Sequence, residues 1–301
     1  MKQIAFYGKG GVGKSTIASN IAAALSKRGL SVMMVGCDPK HNCTMNLRGG
    51  AEIPTILDVL REKGIEKKNL EELTEGKEIE ITDIIYKGYN GIYCAECGGP
   101  KPGFGCAGRG VLVAVDFLKR LNVFEELKLD VVIYDVLGDV VCGGFAMPLR
   151  VGLADVVYII TSADYLALYA ANNICMGIRE FGAKGGSPLG GIIYNVRGAL
   201  DEEDVVQEFA RRVGTRIIGK VPNSQLIVEA EVNRCTVIEY AANSDISNLF
   251  SDIAWNIYEN SVYTVPNPLS SEDMTEVAHI LRTRIRERFG NYNDYMKKHS
   301  L

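Results

Sequence analysis

The chain has 301 residues, of which 47% are hydrophobic, and its formal net charge is −4. This composition supports a large core and gives no electrostatic reason to expect a nucleic-acid partner. No run of about 18 apolar residues predicts a membrane span, and the N-terminus enters a strand directly, which leaves no space for a signal peptide. Eight cysteines in such a chain indicate a reducing cytoplasm, where clustered thiols mean metal or redox chemistry before disulfides.

Short apolar runs rich in β-branched residues alternate with helical patterns along most of the chain. Such runs are typical of a parallel sheet covered on both faces. The alternation predicts an α/β fold with a doubly wound, mostly parallel sheet, which binds ligands at the carboxyl ends of its strands. The predicted strands are residues 4–7, 31–36, 130–134, 156–161, 189–195 and 216–219, and the predicted helices are residues 16–28, 111–127, 166–181 and 202–213.

The loop between the first strand and the first helix has the pattern G-x-x-x-x-G-K-[ST]. Its glycines let the backbone wrap a polyphosphate, and the amides at the helix start point at it. We expect Lys14 to neutralise β- and γ-phosphate oxygens and the Ser15 hydroxyl to bind Mg²⁺. The sequence therefore predicts a nucleoside triphosphate site that comprises Gly8, Lys9, Gly10, Gly11, Val12, Gly13, Lys14, Ser15 and Thr16.

A second lysine, Lys9, directly follows the first glycine of this loop. The loop backbone leaves Lys9 little room to fold back on the same phosphate, so we expect its side chain to reach a nucleotide held by a facing subunit. A solvated surface lysine is the alternative interpretation. A lysine at this position resembles the deviant Walker A class of P-loop NTPases, whose members sandwich ATP between two subunits.

Three aspartates lie at or just beyond the ends of predicted strands. Asp38 is placed to sense the γ-phosphate or to position water, and Asp135 has the usual place of a Walker B carboxylate that helps to hold Mg²⁺. Asp139, four residues further on, is predicted to activate the attacking water. Helix capping is the alternative role for each of them. The segments that hold Asp38 and Asp135 are predicted to rearrange with the γ-phosphate.

Residues 92–110 are rich in cysteine, glycine and proline and have no periodicity, which predicts a functional loop or a metal site rather than core packing. Cys106 and Cys142 are both flanked by small residues, which let backbone amides approach a sulfur-rich ligand. A [4Fe–4S] cluster needs four thiolates, so two such sites per chain indicate a cluster shared across a two-fold axis. The alternative adds Cys94 and Cys97 to make a four-ligand cluster or a zinc site within one subunit.

The remaining cysteines, Cys37, Cys43, Cys175 and Cys235, are interpreted as small packing residues. Residues 272–289 have apolar positions at helical spacing, and we expect a helix that closes the flank of the sheet rather than one that lies on a membrane. The sequence contains no repeat and no obvious linker. We therefore expect one nucleotide-binding and iron–sulfur domain over residues 1–301, with residues 262–301 as a C-terminal helical extension.

Four stretches together resemble the nitrogenase iron protein family: residues 8–16, 37–40, 98–110 and 135–145. The likeness spans residues 2 to about 260, and other deviant Walker A proteins lack its two cysteine motifs. It implies a homodimer that bridges one [4Fe–4S] cluster and binds one MgATP per subunit. It also implies single-electron transfer, gated by ATP hydrolysis, from a donor of ferredoxin or flavodoxin type to a larger catalytic partner.

The resemblance assigns roles to individual residues of this chain. Cys106 and Cys142 would be the cluster ligands, and Asn195 matches an adenine-contacting asparagine. Arg109 matches a docking-face arginine that some members carry in ADP-ribosylated form. The implied nucleotide residues are Lys9, Lys14, Ser15, Asp38, Lys40, Asp135 and Asp139, with Asp139 as the hydrolytic base.

The chain departs from the family pattern at several positions. Asn42 replaces a switch carboxylate, and His41 beside it is closer to the dark-operative protochlorophyllide reductase and nickel-tetrapyrrole cyclase branches. Lys101 reverses the charge of a glutamate near the docking face, Phe104 replaces a valine, and Cys97 replaces a serine. A charge reversal at a docking rim alters the choice of partner more than the chemistry.

Two questions stay open at this stage. The sequence does not distinguish dinitrogen, a tetrapyrrole and an organosulfur compound as the molecule that the partner reduces. The alternative function is a non-redox deviant Walker A ATPase, either a positioning protein or an iron–sulfur scaffold or carrier.

Overall fold

The structure, a computed structural model, describes residues 1–64, 79–99, 107–138, 149, 153–197 and 202–289. An eight-stranded sheet runs through the described part of the chain. In chain order its strands are β1 (Lys2–Tyr7), β2 (Val32–Gly36), β3 (Tyr86–Lys87), β4 (Tyr93–Glu96), β5 (Val131–Asp135), β6 (Val156–Thr161), β7 (Leu189–Asn195) and β8 (Ile217–Val221).

The strand order across the sheet is β3-β4-β2-β5-β1-β6-β7-β8. Every pairing is parallel except that of the short edge strand β3 with β4. Phe6 of β1 and Gly36 of β2 are both in register with Asp135 of β5, so these three strands end together. The loops that follow them therefore meet at one edge of the sheet, and the predicted doubly wound, mostly parallel fold is confirmed.

Helices cover both faces of this sheet. In the described ranges they are α1 (Lys14–Lys27), α2 (Ile56–Glu62), α3 (Ile81–Ile84), α4 (Ala107–Arg120), α5 (Val123–Glu126), α6 (Tyr165–Gly182), α7 (Glu203–Val213), α8 (Gln225–Val232), α9 (Val237–Tyr240), α10 (Asp245–Glu259) and α11 (Ser271–Phe289). Successive strand residues point to opposite faces. In β1, Ile4 and Phe6 pack with α1 and α10, whereas Ala5 and Tyr7 pack with α4 and α6. Both layers consist of buried apolar side chains, which explains the continuously apolar strands.

The predicted strands and helices are largely confirmed, with ends that shift by a few residues. The helix predicted over residues 111–127 is in fact two, α4 and α5, because Asn122 between them has a φ of 49°. The interpretation of residues 92–110 was wrong for its first part, since β4 is a buried strand hydrogen-bonded to β2. Helices α8, α9 and α10 were not predicted.

The last described helix, α11, packs against α6 and α7 and buries Met274 and Val277. The chain that leads to it is held to the sheet by a bridge between Leu189 and Thr264. Asn172 of α6 accepts from the Leu269 amide at 2.7 Å and donates to its carbonyl at 3.0 Å. Among the described residues, no helix combines the length and hydropathy needed to cross a membrane.

Candidate nucleotide site

The loop from β1 to α1 has the backbone shape of an anion cradle. Gly11 and Gly13 have φ angles of 79° and 91°, a left-handed conformation that glycine adopts without strain. The Ile17 amide donates to the Gly13 carbonyl at 3.0 Å, so α1 begins directly after the loop. The first amides of a helix have no acceptor within it, and together with the helix dipole they favour a phosphate at this end.

Lys14 and Asp135 form an ion pair at the base of this cradle. The lysine is 6% exposed and the aspartate is fully buried. Burial alone would lower the pKa of Lys14, but the charge and hydrogen bond of Asp135, together with the nearby Cys43 and Asp38, outweigh burial and raise this pKa above its usual value. The lysine is therefore held as a cation where the sequence predicts the β- and γ-phosphates.

The second carboxylate oxygen of Asp135, Oδ2, is buried and accepts no hydrogen bond from any described residue. A buried polar atom without a partner is uncommon in proteins. A water bound to Mg²⁺ would satisfy it, which is the role expected of a Walker B carboxylate. The residues at this edge thus fit a magnesium–nucleotide complex, with Lys14 on the phosphates, Ser15 on the metal and Asp135 behind it.

A cavity of about 600 Å³ lies over the loop. Asp38 and Lys40 contribute to its wall beside the phosphate cradle, whereas Pro222, Ile227 and Phe250 contribute apolar surface further along. Asp38 is half-exposed, and its charge helps to raise the pKa of Lys14. A polar end joined to an apolar end suits a nucleotide, whose phosphates and base differ in the same way.

Two side chains at the C-terminal end of β7, that of its last residue Asn195 and that of Arg197, hold the P-loop from outside. The Asn195 side-chain amide donates to the Val12 carbonyl at 2.8 Å, and the Arg197 guanidinium donates to the Gly11 carbonyl. Asn195, interpreted from the sequence as an adenine contact, lines the cavity but is bound to the loop. Sequence reasoning missed Arg197, and its position two residues after Asn195 is the only signal that pointed to it.

Lys9 lies at the mouth of the site, where its Nζ is 3.5 Å from Asp164 Oδ1. The side chain of Lys9 is 40% exposed and that of Asp164 is 54% exposed. The same Asp164 oxygen accepts from the Ala167 amide and caps α6. The lysine is therefore half in solvent and paired within its own chain.

The segment that follows β5 packs directly on the P-loop. A Cβ placed on Gly138 would overlap with the carbonyl oxygen of Gly8. Only a glycine permits this approach of one backbone to the other. The residue after it, Asp139, lies outside the described residues.

The remaining predicted site residues also lie outside the described residues. These are Cys106 and Cys142, together with Lys101, Phe104 and the side chain of Arg109. The predicted roles of these residues and of Asp139 stay predictions.

Cys94 and Cys97 do not form a chelating pair. Residues three apart on a strand point to opposite faces, and the two thiols lie in the two different core layers. Burial raises the pKa of Cys94 to about 12. The Cys97 Sγ lies 4.0 Å from the Cys37 Sγ, and this contact together with burial raises the pKa of Cys37. The alternative metal site that combined Cys94 and Cys97 is therefore wrong, and no described group of three or more histidine, cysteine or acidic side chains is arranged to hold a metal.

A mostly parallel sheet with a P-loop after β1, an aspartate just after β2 and an aspartate at the end of β5 defines a P-loop nucleoside triphosphatase. The family described as 4Fe-4S iron sulfur cluster binding proteins, NifH/frxC family, matches residues 2–283. The chain belongs to this family.

Curated relatives agree with this assignment over nearly the whole chain. The chain is 61% identical to nitrogenase iron protein 2 of Methanothermococcus thermolithotrophicus, over 97% of this chain and 100% of the relative. It is 50% identical to the nitrogenase iron protein of Methanococcus voltae, over 96% and 100%. The resemblance found in the sequence is confirmed.

A solved structure supports the fold alone. The septum site-determining protein MinD of Pyrococcus horikoshii, complexed with Mg-ADP, superposes with a TM-score of 0.61 at 18% identity, over 86% of this chain and 96% of that one. At this identity the likeness carries no functional argument.

Proposed function

We propose that the protein is an ATP-hydrolysing electron donor of the nitrogenase iron protein type. It binds MgATP in the cradle after β1 and transfers single electrons, which a [4Fe–4S] cluster supplies when bound, to a nitrogenase or nitrogenase-like catalytic component. The observation that carries the proposal is the buried Lys14–Asp135 pair under a glycine cradle, in a chain whose family binds such clusters.

Each residue of the site has a distinct task in this proposal. Lys14 offsets the charge of the β- and γ-phosphates, Ser15 and Asp135 hold Mg²⁺ and its water, and Asp38 faces the γ-phosphate. Asp139 takes a proton from the attacking water as the terminal P–O bond breaks. Cys106 and Cys142 from each of two chains provide the four thiolates.

The partners follow from the same proposal. The protein works as a homodimer with a larger catalytic component in the cytoplasm, and a ferredoxin or flavodoxin reduces it. Helix α6, whose N-cap Asp164 lies beside Lys9, carries exposed apolar side chains that include Leu166, Tyr169 and Met176. A second copy docked on this helix would bring the two nucleotide sites towards each other.

The test is metal binding by matched cysteine variants under anaerobic conditions. Wild-type protein reconstituted with iron and sulfide should hold about four iron atoms per dimer and show a reducible visible chromophore. Cys106→Ser and Cys142→Ser should each abolish it. Cys97→Ser is the control, since its thiol is buried against Cys37, and it should keep the full metal content.

Two results would overturn the proposal. One is a full metal content in both the Cys106→Ser and Cys142→Ser variants. The other is a wild-type cluster that passes intact to an apo-protein instead of surviving repeated reduction, which would indicate a carrier.

A further inference from the structure

Glu96 is a fully buried carboxylate that the functions assigned above do not use. It is the last residue of β4 and lies over Gly36, where any Cβ would overlap with its Oε2. Its Oε1 accepts two hydrogen bonds from Thr44, from the amide at 2.8 Å and from the hydroxyl at 2.7 Å. Arg48 donates to the same hydroxyl at 3.0 Å. Sequence reasoning gave no role to this group.

Thr44 is the C-terminal end of the segment that begins with Asp38. The middle of this segment, Lys40 to Asn42, is exposed, whereas Cys43 and Thr44 are buried. The Cys43 carbonyl also accepts from Ser19 of α1 at 3.3 Å. Residues 38–44 thus form a segment whose middle is exposed and whose C-terminal end is buried and hydrogen-bonded.

The N-terminal end of this segment contacts the residues that directly follow β4. A Cβ on Gly99 would lie 3.0 Å from the Cβ of Pro39, so these two residues are in close contact. The Cys97 amide donates to the Gly36 carbonyl at 2.8 Å and extends the pairing of β2 with β4. Residues 96–99 therefore touch the segment at both ends, and the chain then continues towards Cys106.

We propose that Glu96 is a positioning residue for nucleotide sensing, and that residues 96–99 carry the movement of residues 38–44 towards Cys106. This inference rests on the proposed function. It adds a second structural connection between the nucleotide site and the proposed cluster ligands. One route follows β5 through Asp135 towards Cys142, and the other leaves β4 towards Cys106. Each of the two proposed cluster ligands is then connected to one nucleotide-sensing segment.

Glu96 lies among charged and titratable groups, and its two hydrogen bonds from Thr44 link the end of β4 to residues 38–44. Arg48 and Asp135 are the charged groups nearby, and the thiols of Cys43 and Cys94 lie close to the carboxylate. Burial raises the pKa of Glu96 above its usual value, and the hydrogen bonds from Thr44 oppose this shift only in part. Both bonds go to Oε1, which accepts them whether the group is ionised or carries a proton on Oε2, so the link between Glu96 and Thr44 does not depend on the charge.

The experiment compares Glu96→Ala, which removes the acceptor, with Glu96→Gln, which keeps an acceptor oxygen for Thr44. The first measurement is the rate of tryptic cleavage after Lys40 with MgADP and with MgATP. The second is the rate at which a ferrous chelator removes iron from the reconstituted protein under the same conditions. Glu202→Gln, a change of another buried carboxyl group, is the control.

We expect MgATP to change both rates in the wild-type protein. In Glu96→Ala, cleavage after Lys40 should rise about tenfold, and the difference between MgATP and MgADP in iron removal should disappear. The Kd for MgADP should stay within about twofold of wild type, because the P-loop is intact. Glu96→Gln should restore most of the response, which a purely structural defect would not allow.

An unchanged nucleotide response in Glu96→Ala would overturn the inference and leave the proposed function standing. If Glu96→Ala does not fold, Thr44→Val replaces it in the test, because this change removes the hydroxyl bond to Glu96 and keeps the amide bond. A wild-type nucleotide response in Thr44→Val would equally contradict the proposed role of Glu96. A wild-type protein that binds neither cluster nor nucleotide would instead refute the proposed function.

Discussion

Removing one charge from the Lys14–Asp135 pair leaves the other buried without its partner. Asp135→Asn should therefore destabilise the protein by about 3–5 kcal/mol, the usual cost of an uncompensated buried charge. Urea denaturation measures this free energy of unfolding. Asp164→Asn is the matched control, because its pair with Lys9 is largely exposed and should contribute no more than about 1 kcal/mol. Equal losses in the two variants would show that the burial of Lys14–Asp135 has no energetic effect.

Glu96 should also give the protein a characteristic dependence of stability on pH. Burial raises its pKa from 4.5 to about 7. A raised carboxyl pKa means that the folded state holds the proton more tightly than the unfolded state. Stability from this group is complete below pH 4.5 and is lost as the pH rises to about 7, by on the order of 3 kcal/mol in total.

Measurements of unfolding free energy between pH 5 and 8 check this expectation. The difference between wild type and Glu96→Gln should change across this window in favour of the variant at high pH. Thr44→Val should move the midpoint to a higher pH, since the bonds from Thr44 lower the pKa of Glu96. If the difference in unfolding free energy between wild type and Glu96→Gln does not change with pH, the raised pKa assigned to Glu96 is wrong.

At the scale of elements, the P-loop depends on the end of β7 for its shape. Asn195→Ala should weaken binding of both MgATP and MgADP about tenfold, because the Val12 carbonyl loses the donor that holds it outward. Titration calorimetry gives both affinities. Asn172→Ala is the control, since it removes a buried amide that holds Leu269 and should lower stability without changing either Kd. A loss of affinity for ATP alone would instead support a γ-phosphate role for Asn195.

The sequence predicts those elements whose pattern is continuous and long. The strands that contain Ile4, Ile133 and Ile159 are buried on both faces, so their apolar runs are clear. β4 escaped prediction because it has four residues and ends in a glutamate, which becomes tolerable only through the tertiary contact with Thr44. The Cys-x-x-Cys spacing of Cys94 and Cys97 wrongly suggested a metal site, because two cysteines at this spacing can bind one metal in a turn but point to opposite faces along a strand.

The nucleotide cradle was predictable because its chemistry is local. Gly8 to Thr16 are consecutive, and their spacing alone dictates the loop. Arg197 and Glu96 act on segments far away in the chain, so no local pattern distinguishes them from an ordinary arginine or a strand-end glutamate. Their roles appear only when the strand order is known.

At the scale of the whole molecule, α6 is expected to contribute to the interface between two copies. Leu166→Asp should shift the protein towards monomer, because it places a charge within the exposed apolar surface of this helix. Light scattering with chromatography in the presence of MgATP measures the change. Val262→Asp is the matched control, since both side chains are 61% exposed and Val262 lies on another part of the surface. A stable dimer in both variants would exclude α6 from the interface.

The contact of Gly138 with the carbonyl of Gly8 has a thermodynamic consequence. No flexible side chain lies between the two backbones, so a shift of either one must be accommodated by the other. Coupling of this kind is reciprocal in free energy. If oxidised and reduced protein differ tenfold in affinity at each of the two nucleotide sites of a dimer with one cluster, the midpoint potential must differ by about 118 mV between the free and the fully nucleotide-bound protein, which is about 59 mV for each site. Redox titration and binding measurements on the same sample would thus give two independent values of the same coupling free energy.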